Sequence, residues 1–405
     1  MTRNAVIVGG GPAGLIAAEI LAQKGVKVRV YDSMPSVGRK FLLAGAHGGL
    51  NLTHSEPLAD FIPRYGAASG FLEPCLNAFP PDGLRTWAQD LGQETFIGTS
   101  GRVFPVGMSA KPLLRKWLSR LETLGVSFVL KHRWQGWRDE GTLLFLNADA
   151  QEIDVKADAV LLALGGASWP RTGSDGSWYE ILESANIPLT PLAPANCGFE
   201  VPWSSYISRF AGEPLKSATI TFAGQSRQGD LMITDKGVEG GAIYALSAPI
   251  RRALEKDAQA TLEIDLRPHL SVEELTERLN VPRKAQSFST YLRKAAGINS
   301  LAVALLRECV PADRLPVNDV PALAELVKKL PLTVTRPAPL ARAISTAGGV
   351  QFDALDDHFM LRAKPGVFVA GEMMDWEAPT GGYLMQGCFS TGAWAAQGLL
   401  KHLQQ

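Results

Sequence analysis

The sequence predicts an α/β protein in which a parallel-sheet domain, assembled from both ends of the chain, is interrupted by a β-rich insert and a helical segment. Three observations carry this. Residues 1–32 read strand, tight turn, helix, second strand and a closing acid. Two later apolar runs, 159–164 and 366–370, lead into Gly165-Gly166 and Gly371-Glu372, and their unbroken hydrophobicity suits strands covered on both faces. Prolines at 188, 191 and 194, and again at 331, 337 and 339, bracket a middle that alternates with period two. The expected division is a dinucleotide-binding domain in two parts, 1–190 and 331–405, with a β-rich domain at 191–270 and a helical subdomain at 271–330. A chain of 405 residues exceeds one simple core, which agrees with several domains.

The first element is the most specific. Ala5-Val-Ile-Val8 runs straight into Gly9-Gly-Gly-Pro-Ala-Gly14, and Leu15, Ala18, Ile20, Leu21 and Ala22 follow at helical spacing. Gly25 stops that helix, residues 26–30 form a second strand, and Asp32 stands at its carboxyl end. The spacing Gly9-x-Gly11-x-x-Gly14 in this context is the dinucleotide fingerprint. Gly9 permits the tight turn, Gly11 leaves room for a pyrophosphate, and Gly14 lets helix and strand pack closely. Pro12 and Ala13 open the helix, whose amino end offers free N–H groups and partial positive charge to phosphates. Asp32 is expected to accept from the adenosine ribose and to repel a 2′-phosphate.

Residues 34–56 hold Gly38-Arg39-Lys40 and Gly45-Ala-His47-Gly48-Gly49-Leu-Asn51-Leu-Thr53. So many glycines beside Arg39, Lys40, His47 and Asn51 suit a loop that lies against a ligand. Residues 57–100 read mostly helical, with a hinge at Pro80-Pro81. A helix capped by Ser109 follows, its apolar stripe at Leu113, Leu114, Trp117, Leu118, Leu121 and Leu124. Three short strands, 126–130, 143–146 and 153–155, are expected as a meander. After the buried run 159–164, Gly165 and residues 167–176 form a second loop at a strand's carboxyl end, where open α/β sheets bind ligands.

In the middle, 218–222, 230–234 and 260–266 alternate as strands, and 272–279 and 301–308 read as helices. The insert is expected to cover the ligand site. The chain then returns with 366–370, Gly371-Glu372, and Glu377-Ala-Pro-Thr-Gly381-Gly382-Tyr383 ahead of a final helix, 384–402. A strand closing on glycine and an acid, then a glycine-rich helix start, serves the far end of a long dinucleotide. Paired with the first fingerprint, it narrows the cofactor to FAD: Glu372 for the ribityl hydroxyls, and the helix start at Gly381, Gly382 and Tyr383 for the flavin pyrimidine.

Composition excludes several classes. Forty Lys+Arg balance forty Asp+Glu, so the whole molecule has no nucleic-acid footprint. One segment, 101–133, sets seven cations against Glu122 alone. It reads first as a solvated helix face, and second as an RNA contact through residues 111–133. Cys75, Cys197, Cys309 and Cys388 are too scattered for a disulfide reductase or a metal site. No HExxH pattern occurs among the histidines, and no metal is expected. The amino-terminal apolar residues are broken by glycines and a proline, unlike a signal peptide, which leads to the expectation of a cytoplasmic protein without membrane segments.

The chain resembles the bacterial YhiN/BaiN-like, aminoacetone-oxidase-like FAD-binding flavoproteins. The matching pieces are Gly9 to Gly14, Gly38-Arg-Lys40, Gly48-Gly-Leu-Asn-Leu-Thr53, Gly165-Gly-Ala-Ser-Trp-Pro-Arg-Thr-Gly173, Thr346-Ala-Gly-Gly-Val350, and Gly371-Glu372 through Gly381-Gly-Tyr383. The resemblance implies a glutathione-reductase-type FAD domain, interrupted by a β-barrel-like domain with a helical insert. Many members carry Gly-Gly-Gly-Arg-Cys-Asn where this chain has His47-Gly-Gly-Leu-Asn51, so the chain is identified as a divergent member and substrates do not transfer. Members are associated with amine oxidation, enone reduction in steroids, and uracil reduction in ribosomal RNA.

The expected activity is that of an FAD-dependent oxidoreductase passing a hydride through flavin N5 to or from a small molecule, with NADH or NADPH as a transient donor. No second GxGxxG with a following acid exists to hold a nicotinamide. The alternatives are an amine oxidase using oxygen, an RNA-modifying enzyme that reduces uridine, and a protein that binds FAD without turnover. Tyr383 and His47 are candidate proton donors, and Arg171 is a candidate for orienting an anionic substrate group.

Overall fold

The computed structural model describes residues 3–46, 48–139 and 141–404; His47 therefore lies outside the described residues. Its first unit, Met1–Ala193 with Ile344–Gln405, is organised on a five-stranded sheet. The spatial order is Val367–Val369, Ala159–Leu162, Asn4–Val8, Lys27–Asp32 and Ser127–Leu130, and every neighbouring pair is parallel. The apolar runs fall at its centre: Ala5, Val6 and Ile7 are fully buried beside Leu161 and Leu162. This is the Rossmann-type arrangement, with the fingerprint turn at the carboxyl end of the central strand.

The helix Pro12–Gln23 follows that turn and packs on the final helix, Tyr383–Gln404. Gly392 makes the crossing close, because a Cβ there would lie 2.3 Å from the Ala13 carbonyl oxygen. A helix-interior glycine costs about 1 kcal/mol relative to alanine, and here it lets the chain's two ends share one core. Helix Ala110–Thr123 is capped by the Ser109 hydroxyl, which accepts from the Lys111 N–H, and it buries Leu113, Leu114, Trp117 and Leu121.

One strand assignment differs from expectation. Ser127–Leu130 does not start the meander but joins the parallel sheet beside Lys27–Asp32. The meander is Arg133–Asp139, Thr142–Leu146 and Glu152–Lys156. Its first strand carries a register shift between Trp134 and Gly136, which breaks the period-two signal.

The second unit is Pro194–Ala343. Its seven-stranded sheet begins with Leu330–Val334 and ends with Arg336–Pro337. One residue separates these two edge strands in the chain, so the sheet must curl into a barrel-like shape. Helices Val272–Leu279, Phe288–Ala295, Ser300–Cys309 and Val320–Lys328 share its core, with Leu275, Leu292 and Leu305 in one cluster with Ile220 and Ile264. Two boundaries thus differ from the sequence reading. Residues 271–330 have no separate core, and residues 331–343 stay with the insert because Leu330–Val334 pairs with Ala260–Asp265. Among the described residues, no helix is long and apolar enough to cross a membrane.

Candidate active site

A cavity of about 380 Å³ runs along the carboxyl ends of the parallel strands, and all its lining residues belong to the first unit. Gly9, Gly11, Pro12 and Ala13 line it, with Asp32, Arg39, Lys40, Gly165, Gly371 and Glu372. His132 and Trp134 also line it, as do Leu384, Met385 and Cys388 of the final helix.

The glycines divide by task. Gly9 has φ +108°, and a Cβ there would lie 2.2 Å from the Ala163 carbonyl oxygen; one on Gly14 would lie 2.1 Å from the Gly9 oxygen. These two are demanded by the protein itself. Gly11 is not, since its φ of −83° suits any residue and a Cβ would meet nothing within 4 Å. Its missing side chain leaves room at the amino end of a helix with no side-chain cap and no acid in its first turn. That is an anion cradle.

Asp32 does more than expected. Its Oδ2 accepts from the Gly10 N–H and its Oδ1 from the Met34 N–H, both at 2.8 Å. The carboxylate ties the glycine turn to the strand end while still lining the cavity. Burial raises its pKa, against the two amides and the nearby Arg39 charge.

Glu372 lines the cavity and is also bound within the protein. Its Oε2 meets Lys40 Nζ at 2.6 Å and accepts from the Gly166 N–H, and its Oε1 accepts from the Thr346 N–H. Lys40 also donates to the Ser168 and Ser174 hydroxyls at 2.8 and 3.4 Å. The carboxylate is thereby held by three protein groups, and the pair braces the wall of the cavity that both residues line. Sequence reasoning missed Ser168, Ser174 and Thr346, although Ser168 and Thr346 sit inside the glycine-rich motifs. It also missed Trp134.

Gly48, Gly49, Asn51, Gly381, Gly382, Tyr383 and Arg171 do not line this cavity. The two loops do meet. A Cβ on Gly382 would lie 2.5 Å from the Thr53 carbonyl, and the Tyr383 ring stacks on His54 at 5.3 Å. The Tyr383 hydroxyl, however, donates to Glu56 Oε1 at 2.6 Å, and Arg64 grips the same carboxylate. Burial and the Glu56 bond push the phenol well above its usual range. The hydroxyl read as a proton donor is thus already bound to Glu56 and does not line the cavity. Gly49 packs on Met108, Gly48 has open space around its Cβ position, and the Asn51 Oδ1 is buried without a partner. Arg171 is exposed beside Trp169 and Thr172, which do line the cavity.

The HI0933-like protein Rossmann domain family matches residues 3–398. The chain belongs to this family. Among its relatives is a 3-dehydro-bile acid delta(4,6)-reductase of Clostridium scindens, 24% identical over 95% of this chain and 96% of the relative. Another is a ribosomal RNA dihydrouridine synthase of Escherichia coli, 25% identical over 98% of each chain. In fold, the chain is similar to a 3-ketosteroid delta1-dehydrogenase from Sterolibacterium denitrificans, with a TM-score of 0.55 and 13% identity over the full length of both.

FAD fits this member of the HI0933-like family. Beyond the Gly11 cradle, two buried donors that line the cavity, Arg39 Nε and Trp134 Nε1, have no hydrogen-bond partner within the protein. Buried donors are normally paired, so both mark places for a ligand acceptor. The chain is an FAD-dependent oxidoreductase.

Proposed function

We propose that the protein is an FAD-dependent reductase or dehydrogenase that moves hydride from NADH or NADPH to an unsaturated small molecule. Bound flavin supplies hydride acceptance and donation at N5; the substrate double bond gains the hydride at one carbon and a proton at the other, and the nicotinamide leaves oxidised. The helix amino end at Gly11 to Gly14 holds the pyrophosphate, with Arg39 adding charge. Asp32 fixes the turn and meets the ribose. Lys40 and Glu372 brace the loops carrying Gly165 and Ser168, while Leu43, Ala44, Leu384 and Met385 exclude water. His47 is the proposed proton donor, and Arg171 the proposed anchor for an anionic substrate group. Gly48, Gly49 and Asn51, with Gly381 and Gly382, lie outside the cavity lining and would meet the flavin only where it extends beyond that cavity.

The observation that carries the reading is one dinucleotide fingerprint serving one cavity. The sequence holds no second such fingerprint, so a nicotinamide visit would be transient or would use the substrate pocket. The relative named a reductase supports the direction. The test is anaerobic: reduce the enzyme with NADH or NADPH, then mix it with conjugated enones or with oxygen in a stopped-flow instrument. Fast reoxidation by an enone is expected. Reduction by simple amines, with oxygen the fastest acceptor, selects the amine-oxidase alternative.

An RNA-modifying reading rests on the name of the Escherichia coli relative. The basic segment gives it little, because Arg120 pairs with Glu19 and Arg133 with Asp175, leaving Lys111, Arg115, Lys116 and Lys131 exposed. RNA binding through those four would weaken steeply with salt, and neutralising Arg115 and Lys116 would flatten the slope.

A further inference from the structure

Trp169 has φ 57° and ψ 59°, the left-handed region. For a bulky residue this is an outlier, because Cβ crowds the following carbonyl oxygen. Pro170 adds a second penalty, since the residue before a proline is driven toward extended backbone. Other non-glycine residues with positive φ occur among the described residues, at Met108, Lys131 and Phe359 for example, but Trp169 alone of them lines the cavity. It is half-buried, so core packing does not account for it.

Strain of this kind persists only where the surroundings over-determine it. Here they do. On one side, Ser168 is fully buried, and its hydroxyl accepts from Lys40 Nζ. On the other, the Trp169 carbonyl accepts from both the N–H and the hydroxyl of Thr172. The next residue, Gly173, sits so close to Met34 that a Cβ would fall 2.7 Å from the methionine Cγ, pinning the loop beside the Asp32 turn. The anchors are therefore tied to Lys40 and to the segment after Asp32, the two groups that shape the cavity floor.

We propose that Trp169 is a strained clamp: the loop holds its indole against the dinucleotide in the cavity and slows cofactor release. This rests on FAD occupying that cavity. A ring held in place before binding loses little freedom when the cofactor arrives, which is the advantage of preorganisation. The alternative for this sequence, a glycine at 169, would relax the backbone and leave the cofactor uncovered.

The experiment compares wild type with Trp169→Gly and Trp169→Phe, reading the melting temperature of the FAD-free protein and the rate of FAD release from recovery of flavin fluorescence. Trp169→Gly is expected to melt higher and to release FAD faster by about three- to tenfold, the range that removing one aromatic ring from a stacked pair produces. Trp169→Phe keeps the ring and is expected to release FAD at close to the wild-type rate. These opposite movements of stability and release are not what a merely structural residue gives. Unchanged release, or a lower melting temperature, in Trp169→Gly overturns the clamp. A glycine variant that fails to fold does the same to the strain argument, and Trp169→Asn, which tolerates the left-handed region, then tests release by itself. If the wild type binds no FAD, the cofactor assignment fails; if it binds FAD and the Gly and Asn variants release it like wild type, only the clamp fails.

Discussion

Replacing Gly11 by alanine should separate cofactor binding from folding. At that position φ is −83°, and a Cβ meets nothing within 4 Å, so the folded protein has no steric objection. Alanine restricts the unfolded chain and stabilises by about 0.4–1 kcal/mol. Alanine is also a poorer helix N-cap than glycine, at a cost of roughly 0.5–1 kcal/mol. The two nearly cancel, and the FAD-free protein should melt within a few degrees of wild type. Binding should change far more, because the methyl group occupies the cradle. Loss of one charge-assisted hydrogen bond there costs about 1.5–3 kcal/mol, which raises Kd for FAD by about 10- to 150-fold. Gly9→Ala is the control. Its φ of +108° and a Cβ 2.2 Å from the Ala163 oxygen act on the fold itself. A left-handed residue costs about 1–2 kcal/mol and the clash about 1–3 more. Urea denaturation of the FAD-free proteins and titration with FAD, followed by flavin fluorescence, measure both quantities. Wild-type affinity in Gly11→Ala, or a stability loss matching that of Gly9→Ala, would refute the cradle.

Asp32→Ala should weaken FAD and also destabilise the FAD-free protein, since the Gly10 and Met34 N–H groups lose their acceptor; a variant that loses affinity without stability would show that only the ribose uses this carboxylate. Glu19→Ala should cost about 3–5 kcal/mol by urea denaturation, because Glu19 is buried and accepts from the Trp87 and Trp117 indoles and from Arg120; a loss near zero would return Arg120 to the free basic face. Acid should weaken the helix-start cluster. Burial raises the Glu56 pKa, but Arg64 and the Tyr383 hydroxyl outweigh it and hold the carboxyl below its ordinary 4.5. A depressed carboxylate contributes stability above the unfolded pKa and loses it as pH falls through the folded one. The wild-type melting temperature should therefore be level on this account down to about pH 4.5 and drop below it, and Glu56→Gln should show a shallower drop; parallel curves would remove Glu56 from the explanation.

The sequence by itself determined the parallel sheet, the fingerprint turn and the cofactor. Gly9, Gly11 and Gly14 act within six residues, and the runs at 5–8 and 159–164 are apolar enough to be buried whatever surrounds them, so local spacing carries the information. What it left undecided are pairings between side chains far apart in the chain. Lys40 and Glu372 each looked like a free ligand-binding charge, yet they neutralise one another at 2.6 Å. Arg120 looked like part of a basic face, yet its charge is bound to the buried Glu19. Tyr383 looked like an acid at the flavin, yet its hydroxyl belongs to Glu56. A charge or hydroxyl is the same in sequence whether water, a ligand or another side chain satisfies it, and only the tertiary structure decides which partner comes within 3 Å.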